Sequence, residues 1–190
     1  MRLIVVDGID GSGKSTVAEW ISEHYAGRGH RVRVQHHPSD RLAGRLSARF
    51  LQGGGKLMYL LSSAFYMFDV LGSVVRLPLW RRRYDTVVFV RYLLATAYLP
   101  DRLAHLAYDI FASVLPVPEC LLLVDVEPEN ALRRIESRQH EEEMFENLPA
   151  LVIVRERVLS LATTWEVLDN NGCESGSRRR LDEILERWDG

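Results

Sequence analysis

The sequence predicts an α/β fold: a parallel sheet of about five strands with helices on both faces. Apolar strand-like runs alternate along the chain with helical stretches. Those runs lack the polar alternation of a solvent-facing sheet, so each strand is expected to be buried on both faces. The chain has 190 residues, which suits one domain, so residues 1–190 are expected to form a single domain.

The first part of the chain predicts two strands and three helices. The apolar run Leu3–Asp7 is the first strand, and a helix from Ser15 to about Tyr25 follows it. Val32 and Val34 mark a second, weaker strand. Two further helices are expected in residues 40–77.

The rest of the chain continues the alternation. Thr86–Val90 is the third strand, a helix follows from about Leu94 to Val114, and Leu121–Val126 is the fourth strand. Pro128 opens the next helix, because proline fits the first helical turn, where its missing N–H is not needed. The remaining segments are a charged break at 139–147, a helix at 149–161, a last strand at 165–168 and a C-terminal helix from residue 178.

Composition limits the classes of partner and compartment. The formal net charge is −2, so the chain has no general attraction to nucleic acid or anionic lipid. Cys120 and Cys173 are too few for a disulfide framework and have no metal-ligand spacing. They are read as idle thiols of a reducing compartment, and a cytoplasmic location is expected.

Two apolar segments have some features of membrane or export signals. Leu3–Val6 is too short for a signal peptide and a glycine loop follows it at once. Leu57–Val75 approaches the length that spans a bilayer, but it contains polar or small residues that include Ser62, Ser63, Asp69 and Gly72. A buried core helix is therefore expected there, and no membrane partner.

A phosphate-binding motif stands between the first strand and the first helix. The pattern G-x-x-x-x-G-K-[ST] fits once, at Gly8–Ser15. Its glycines let successive backbone N–H groups turn inward as an anion nest, and the following helix adds the positive end of its dipole. Lys14 is expected to bridge the β- and γ-phosphates of ATP, and the Ser15 hydroxyl to bind Mg²⁺. This context disfavours the alternative interpretation, a chance glycine turn.

The lysine in this loop is informative because the chain otherwise uses arginine. Lys and Arg total 24, and Lys14 and Lys56 are the only lysines. A compact ammonium group fits between phosphate oxygens where a broad guanidinium does not. The chain therefore uses lysine at the one place where phosphate geometry requires it.

The phosphate-binding loop, or P-loop, does not by itself separate kinases, GTPases, motor ATPases and transporter subunits. No N-K-x-D pattern is present, which disfavours a GTPase. Motor ATPases are usually longer, and in Leu121–Glu127 the two carboxylates are separated by Val126. Size and motif favour a small kinase.

The segment Val6–Thr16 resembles the opening of thymidylate kinases and related nucleoside monophosphate kinases. Three further segments agree in the right order. Val87–Tyr98 resembles the strand and helix with that family's Asp-Arg-Tyr motif, and Pro118–Arg138 and Leu168–Asn170 resemble its later strands. The resemblance implies a three-layer P-loop NTPase fold with a small lid at approximately residues 136–148. It also implies transfer of the γ-phosphoryl group of ATP to a nucleoside monophosphate, with dTMP as the first candidate, and a homodimer.

The resemblance implies donor-side roles for the loop and for two arginines. Arg134 and Arg138 belong to the base of the lid, near donor phosphates or adenine. Phosphoryl transfer leaves charge on the equatorial oxygens, and fork-shaped cations neutralise it, so Arg138 is the first choice as a catalytic cation beside Lys14. A solvated helix end is the alternative reading of this arginine pair. The remaining predicted ATP-binding residues are Asp10, Gly11, Ser12, Gly13, Ser15 and Thr16.

The resemblance also implies acceptor-side roles. Asp10 faces the sugar of the acceptor, Arg91 contacts its phosphate as a catalytic cation, and Tyr98 closes over its base. The residues themselves add Arg45, which lies with Arg41 and Arg49 on one helical face that suits a phosphate or, alternatively, is an ordinary solvated face. Phe65 is a candidate stacking wall or plain core.

The acceptor side departs from the family pattern. Val90 occupies the place of the aspartate in Asp-Arg-Tyr, a carboxylate that in the family lies near magnesium and the acceptor phosphate. Asp7 is expected to substitute in part as the metal residue, with Asp125 as a weaker candidate. The family's Ala-x-Asp-Arg segment has no clear match, because Val70 follows Asp69. Two alternatives stay open: a kinase of another small phosphorylated or hydroxyl metabolite, and a nucleotide-binding regulatory or degenerate homologue.

Overall fold

The computed structural model describes residues 1–53, 56–99, 101–137 and 147–190. The described chain forms a sheet of five strands, which are β1 (Arg2–Asp7), β2 (Val32–His36), β3 (Thr86–Val90), β4 (Cys120–Asp125) and β5 (Glu166–Asp169). The helices are α1 (Lys14–Gly27), α2 (Leu42–Gln52), α3 (Lys56–Val74), α4 (Leu77–Trp80), α5 (Asp101–Val114), α6 (Pro128–Glu136), α7 (Leu148–Leu161) and α8 (Glu174–Asp189).

All strand pairs are parallel, and the strand order is β2-β3-β1-β4-β5. Because parallel strands end at the same edge, the carboxyl ends of the central strands bring Asp7, Val90 and Asp125 to one side of the molecule. β1 connects directly to the glycine loop there. The predicted five-stranded parallel sheet is confirmed.

Two hydrophobic cores cover the two faces of the sheet. Successive residues of β1 point to opposite faces, so Val5 packs into one core and Ile4 into the other. Helices α3 and α7 contribute Val70 and Leu151 to the first core, and α1 contributes Ile21 to the second. The three-layer arrangement expected from the apolar strands is therefore present.

One predicted helix is divided in two. The sequence predicts a single helix from Leu94 to Val114, whereas the structure has a 3-10 turn at Leu94–Tyr98 and then α5. Leu99 is extended, with φ −73° and ψ 158°. Pro100 follows it in the sequence, and a proline disfavours the helical conformation of the residue before it.

Helix α3 is less buried than the sequence predicts. Asp69 and Val70 are buried, but Leu57 and Phe68 are more than 60% exposed. The helix covers one sheet face with one side only, so its other apolar side faces outward. In the described ranges, no helix combines the length and the apolar character that crossing a membrane requires.

Candidate active site

The glycine loop has the backbone conformation that an anion nest requires. Gly11 and Gly13 have φ of 74° and 93°, in the left-handed region that favours glycine. A Cβ atom on Gly11 would lie 2.4 Å from the carbonyl oxygen of Ala131 on α6. The loop therefore accepts no side chain at Gly11, because α6 packs directly against its backbone.

Lys14 lies across this loop. It is the first residue of α1 and only 6% exposed, and its Nζ donates to the carbonyl oxygen of Ile9 at 2.5 Å. The carboxylate of Asp10 is 3.7 Å from the same Nζ. The ammonium group is thus held beside the nest, where the sequence predicts contact with donor phosphates.

The outer side of the loop is held by two residues from later elements. Asn170, just after β5, donates its side-chain amide to the carbonyl oxygen of Ser12 at 2.8 Å. Arg134 on α6 donates to the carbonyl oxygen of Asn170 at 2.7 Å and lies 3.4 Å from the carbonyl oxygen of Ser12. Asn170 is not among the residues predicted for the site, although its place after a predicted strand in an α/β sheet is a usable signal.

The donor set of this site fits a magnesium–triphosphate complex. The Ser12 hydroxyl oxygen is buried in the loop and has no hydrogen-bond partner among the described residues. The ranges that the structure describes contain no group of three His, Cys, Asp or Glu side chains arranged to hold a metal ion alone. A magnesium ion here would therefore need phosphate oxygens in addition to the Ser15 hydroxyl.

Asp7 at the end of β1 anchors the turn after β3. It is 1% exposed, and its carboxylate accepts hydrogen bonds from the backbone N–H groups of Tyr92, Leu93 and Leu94 at 3.0–3.2 Å. Burial raises the pKa of Asp7, and these hydrogen bonds and the charge of Lys14 oppose that shift. The carboxylate fixes the backbone that follows Arg91, while its role as a metal ligand stays a prediction.

Arg91 stands in a conformation that other residues maintain. Its φ is 58°, which is unusual for a residue with a side chain. The carbonyl oxygen of Arg91 accepts hydrogen bonds from His37 Nδ1 at 2.9 Å and from the Tyr66 hydroxyl at 2.9 Å. The Nε2 atom of His37 lies 2.8 Å from the Ser73 hydroxyl. Because a carbonyl only accepts, the proton of the neutral imidazole is on Nδ1, and Ser73 donates to Nε2.

The residue His37 was not among the predicted site residues. It is 3% exposed, and burial lowers its pKa to about 4, with the charge of Arg41 acting in the same direction. The charge of Asp69 opposes that shift. The imidazole is therefore neutral near pH 7. Its position at the carboxyl end of β2 was the signal that could have identified it.

Four predicted residues meet beside the glycine loop. The Tyr98 hydroxyl donates to Asp10 Oδ2 at 2.7 Å, and the Asp10 backbone N–H donates to the Tyr98 oxygen at 3.2 Å. The guanidinium of Arg91 forms an ion pair with Oδ1 of Asp10, which also faces Lys14. One carboxylate thus binds two cations and a hydroxyl.

These residues line a cavity of about 380 Å³. Its lining includes Gly13, Lys14, Ser15 and Thr16 from the glycine loop and the start of α1. It also includes Ser47, Ser62, Ser63, Tyr66 and Phe111 from α2, α3 and α5. Cationic, hydroxyl and aromatic side chains thus share one cavity, a combination that suits a nucleotide.

Two predicted acceptor residues lie elsewhere. Arg45 is exposed and is not part of the described cavity wall, to which α2 contributes Ser47, Ala48 and Leu51. The reason is helical geometry, since Arg45 projects from a different side of α2. Phe65 stacks on Phe50, with ring centroids 5.5 Å apart, and is likewise not part of that wall.

The remaining residues singled out in the sequence are Asp125, Asp69 and Arg138. Asp125 is held by Arg155, which donates to its two oxygens at 2.9 and 2.8 Å, and its role as a metal ligand stays a prediction. Asp69 has no arginine after it, but Arg41 reaches it from α2's N-terminus at 2.8 Å. Arg138 and most of the predicted lid lie outside the described residues.

Comparisons with known proteins agree with this geometry. The sequence model of the thymidylate kinase family matches residues 6–173. A probable thymidylate kinase of Archaeoglobus fulgidus is 33% identical over 192 residues, which cover 98% of this chain and 95% of that protein. A probable thymidylate kinase of Pyrobaculum calidifontis is 29% identical, covering 97% and 95%. A putative thymidylate kinase of Aeropyrum pernix is 30% identical, covering 97% and 92%.

Proposed function

The chain belongs to the thymidylate kinase family, and from that membership we propose that it transfers the γ-phosphoryl group of ATP to dTMP. The observation that carries this proposal is the meeting of Lys14, Asp10, Arg91 and Tyr98 at one cavity beside the glycine loop. Nearly the whole chain aligns with its relatives, so the donor and acceptor sides are both covered.

The donor nucleotide is held by the backbone of the loop. The N–H groups of the nest and the start of α1 face its phosphates, and Lys14 neutralises the β- and γ-phosphates. Magnesium, bound through the Ser15 hydroxyl and phosphate oxygens, would supply further charge neutralisation. Arg134 and Asn170 keep the loop in this shape from outside.

The acceptor nucleotide occupies the part of the cavity that α2, α3 and α5 line. Arg91 turns from Asp10 to the acceptor phosphate and holds one of its oxygens in line with the γ-phosphorus. Asp10 and Tyr98 then face the sugar. Transfer of this kind depends on positioning and on charge neutralisation more than on covalent help from the protein. Arg138 remains the predicted lid cation that completes the site.

A second candidate function is favoured by one observation. Val90 is 2% exposed and apolar where the family places a carboxylate. Asp7 cannot replace that carboxylate freely, because backbone N–H groups bind it. A homologue that binds nucleotides but transfers slowly, or one that uses another small acceptor, is consistent with this arrangement.

An ADP-release assay separates these functions. We expect dTMP to be the fastest acceptor in a panel of nucleoside monophosphates and nucleosides. Lys14→Ala should abolish turnover, because it removes the cation beside the glycine loop, and circular dichroism checks that the variant folds. Rapid turnover of a different acceptor would replace dTMP in the proposal, and ATP binding without transfer to any acceptor would favour the regulatory function.

A homodimer is the assembly we propose, as the family resemblance implies. Leu103, Leu106, Ile110 and Val114 are each at least 50% exposed and recur on one side of α5. Such an apolar stripe is characteristic of an interaction surface. Light scattering should give the mass of two chains, and Leu106→Glu should give one. A wild-type monomer at micromolar concentration would contradict the dimer.

The compartment is also a proposal. The two cysteines are free in the described structure, and Cys173 is exposed. We infer a cytoplasmic location, where reduced thiols persist. Fractionation of cells that express the full chain would test it, and recovery with the exported proteins would contradict it.

A further inference from the structure

A second cavity, of about 400 Å³, lies at the edge of the sheet formed by β2. Its walls include Arg33 from β2, Arg41 before α2 and Arg76 between α3 and α4. We call it the arginine cavity. It shares no described lining residue with the active-site cavity, so any ligand here would bind separately from the nucleotides.

Arg41 has one guanidinium nitrogen that the fold leaves unused. Its Nε donates to the Ser39 hydroxyl at 2.8 Å, and its Nη2 binds Asp69 and the Ser73 hydroxyl at 2.5–2.8 Å. The Nη1 atom is buried and has no hydrogen-bond partner in the described part of the chain. A buried N–H group without a partner costs free energy. This nitrogen is therefore held rigidly and carries an N–H group, unsatisfied in the described structure, in the side chain that lines the arginine cavity.

Arg33, which lines the same cavity from β2, also has a nitrogen that the described residues leave unsatisfied. Its guanidinium lies over the Trp80 ring, 4.3 Å from the centroid, and its Nη2 donates to Gln35 at 3.2 Å. Its Nε is buried and also lacks a partner among the residues described. Stacking on an aromatic face orients a guanidinium without using its N–H groups.

Arg76 brings the third guanidinium close to that of Arg41. Its Nη1 donates to the carbonyl oxygen of Gly72 at 2.6 Å. A Cβ atom on Gly72 would lie 3.3 Å from Arg76 Nη1 and 3.4 Å from Arg41 Nη1, so both groups approach the same point on α3. Like charges at such short range repel each other, and an anion between them would relieve the repulsion.

The local charge balance is positive. The wall contains three guanidinium groups and one carboxylate, that of Asp40. A second carboxylate, that of Asp69, forms an ion pair with Arg41. Three positive and two negative charges leave one positive charge in excess. Arg41 also precedes the first turn of α2, an 11-residue helix whose N-terminus has no side-chain cap. The positive end of the α2 dipole adds to the positive potential.

We propose that the arginine cavity binds a phosphate group, either as inorganic phosphate or on a small phosphorylated metabolite. A tetrahedral phosphate offers oxygens in several directions and suits three guanidinium groups that approach from different walls, whereas a flat carboxylate suits one or two. A nucleotide base finds no stacking face here, because Arg33 covers Trp80, which is 7% exposed.

The test is isothermal titration calorimetry with the glycine loop blocked. Inorganic phosphate, and separately ribose 5-phosphate, are titrated into the full chain saturated with magnesium, a non-hydrolysable ATP analogue and dTMP, so that the donor and acceptor sites are both occupied. We expect one bound phosphate per chain. Arg76→Gln and Arg33→Gln should each weaken binding by about tenfold or more, the scale of a lost charge-assisted hydrogen bond. The matched control is Arg82→Gln, which removes the same charge at an exposed position beyond the arginine cavity.

Each result decides the proposal. Loss of phosphate binding in the two cavity variants but not in the control supports it, and tighter binding of ribose 5-phosphate would identify a phosphorylated metabolite as the ligand. No binding to the blocked wild type overturns it. Equal weakening in Arg82→Gln also overturns it, because bulk charge would then account for the effect. Since binding is measured directly, failure here leaves the proposed kinase activity untouched.

Discussion

His37 donates its Nδ1–H to the carbonyl oxygen of Arg91 at 2.9 Å and thereby joins the end of β2 to the end of β3. This bond holds the backbone of the predicted acceptor cation in a left-handed conformation, with φ of 58°. Beyond His37, Ser73 binds the other imidazole nitrogen and also accepts from Arg41. The orientation of Arg91 thus depends on residues far from it in sequence.

Removing the His37 side chain should impair acceptor binding more than ATP binding. In His37→Ala the Arg91 carbonyl loses one of its two donors, and its backbone relaxes from the left-handed region. We expect the KM for dTMP to rise roughly tenfold, because small displacements of a positioning group are costly. The KM for ATP should stay within about twofold, since the hydrogen bonds described for His37 go to Arg91 and Ser73 and not to the glycine loop.

Steady-state kinetics on both substrates measures this split. His37→Asn is the matched variant, because its amide N–H can replace Nδ1–H, and it should restore most of the acceptor affinity. An equal rise in both KM values would show that His37 acts only on overall stability.

The stability of the fold should depend on pH through His37. Burial lowers its pKa from 6.5 to about 4, while the charge of Asp69 acts in the other direction. A lowered pKa means that the unfolded state binds the proton more readily. The stabilising contribution is therefore complete above pH 6.5 and is lost as the pH falls toward 4, by up to about 3 kcal/mol.

Urea unfolding at pH 7.0, 5.5 and 4.5 measures this dependence. The raised pKa of Asp7 acts with the opposite sign, because its proton binds the folded state more readily. The difference between wild type and His37→Asn isolates the imidazole. If both proteins lose stability equally between pH 7.0 and 4.5, His37 is not the group responsible.

Replacing Arg91 should lower phosphoryl transfer strongly. Arg91→Ala removes the cation that pairs with Asp10 in the free protein and is proposed to hold the acceptor phosphate. We expect kcat/KM for dTMP to fall by roughly 10²–10³, the scale of a lost preorganised donor. Arg91→Lys should recover little, because a lysine lacks the fork geometry.

Arg45→Ala is the matched control for this measurement. Arg45 is an exposed arginine that does not line the described cavity, so its loss should change kcat/KM by less than about twofold. A large fall in kcat/KM for Arg45→Ala would indicate that Arg45 does contact the acceptor.

Replacing a glycine of the glycine loop by alanine should reduce stability far more than the same replacement at a glycine elsewhere that has a similar φ. In Gly11→Ala the new Cβ would meet the carbonyl oxygen of Ala131 at 2.4 Å, in addition to the strain of φ 74°. Gly29 has φ 83° but no atom within 4 Å of a Cβ. We expect a loss of at least about 3 kcal/mol and of ATP binding for Gly11→Ala, and about 1 kcal/mol with normal ATP binding for Gly29→Ala.

Thermal unfolding and ATP titration check both variants. Similar losses would mean that backbone strain alone decides the cost. If Gly11→Ala is stable but binds ATP weakly, Gly11 is needed for ATP binding and not for the packing of the loop against α6.

Local sequence patterns were sufficient to predict much of the fold and of the donor side of the site. The apolar runs predicted the five parallel strands, because burial on both faces leaves a direct mark on composition. The glycine loop was recognisable for a similar reason: its nest, Lys14 and Ser15 lie within one short segment. Helix ends were less predictable, as the division at Leu99 shows, because they depend on single residues and on packing.

The acceptor side was only partly predictable. Asp10, Arg91 and Tyr98 were proposed from the resemblance, and they do meet. Arg45 and Phe65 were chosen from spacing alone, and the structure places both elsewhere. Spacing states which residues share a helical face, but it does not state which face turns toward the cavity.

By itself, the sequence determined that this protein has a buried parallel sheet and a glycine loop for phosphate, since both are encoded by neighbouring residues. Tertiary structure alone decided which side chains support that loop and shape the acceptor side. Asn170 reaches Ser12, and His37 and Tyr66 reach Arg91, across separations of 25 to 158 residues. Such contacts exist only after the sheet aligns the carboxyl ends of its strands, because hydrogen bonds act over about 3 Å and no local pattern records them.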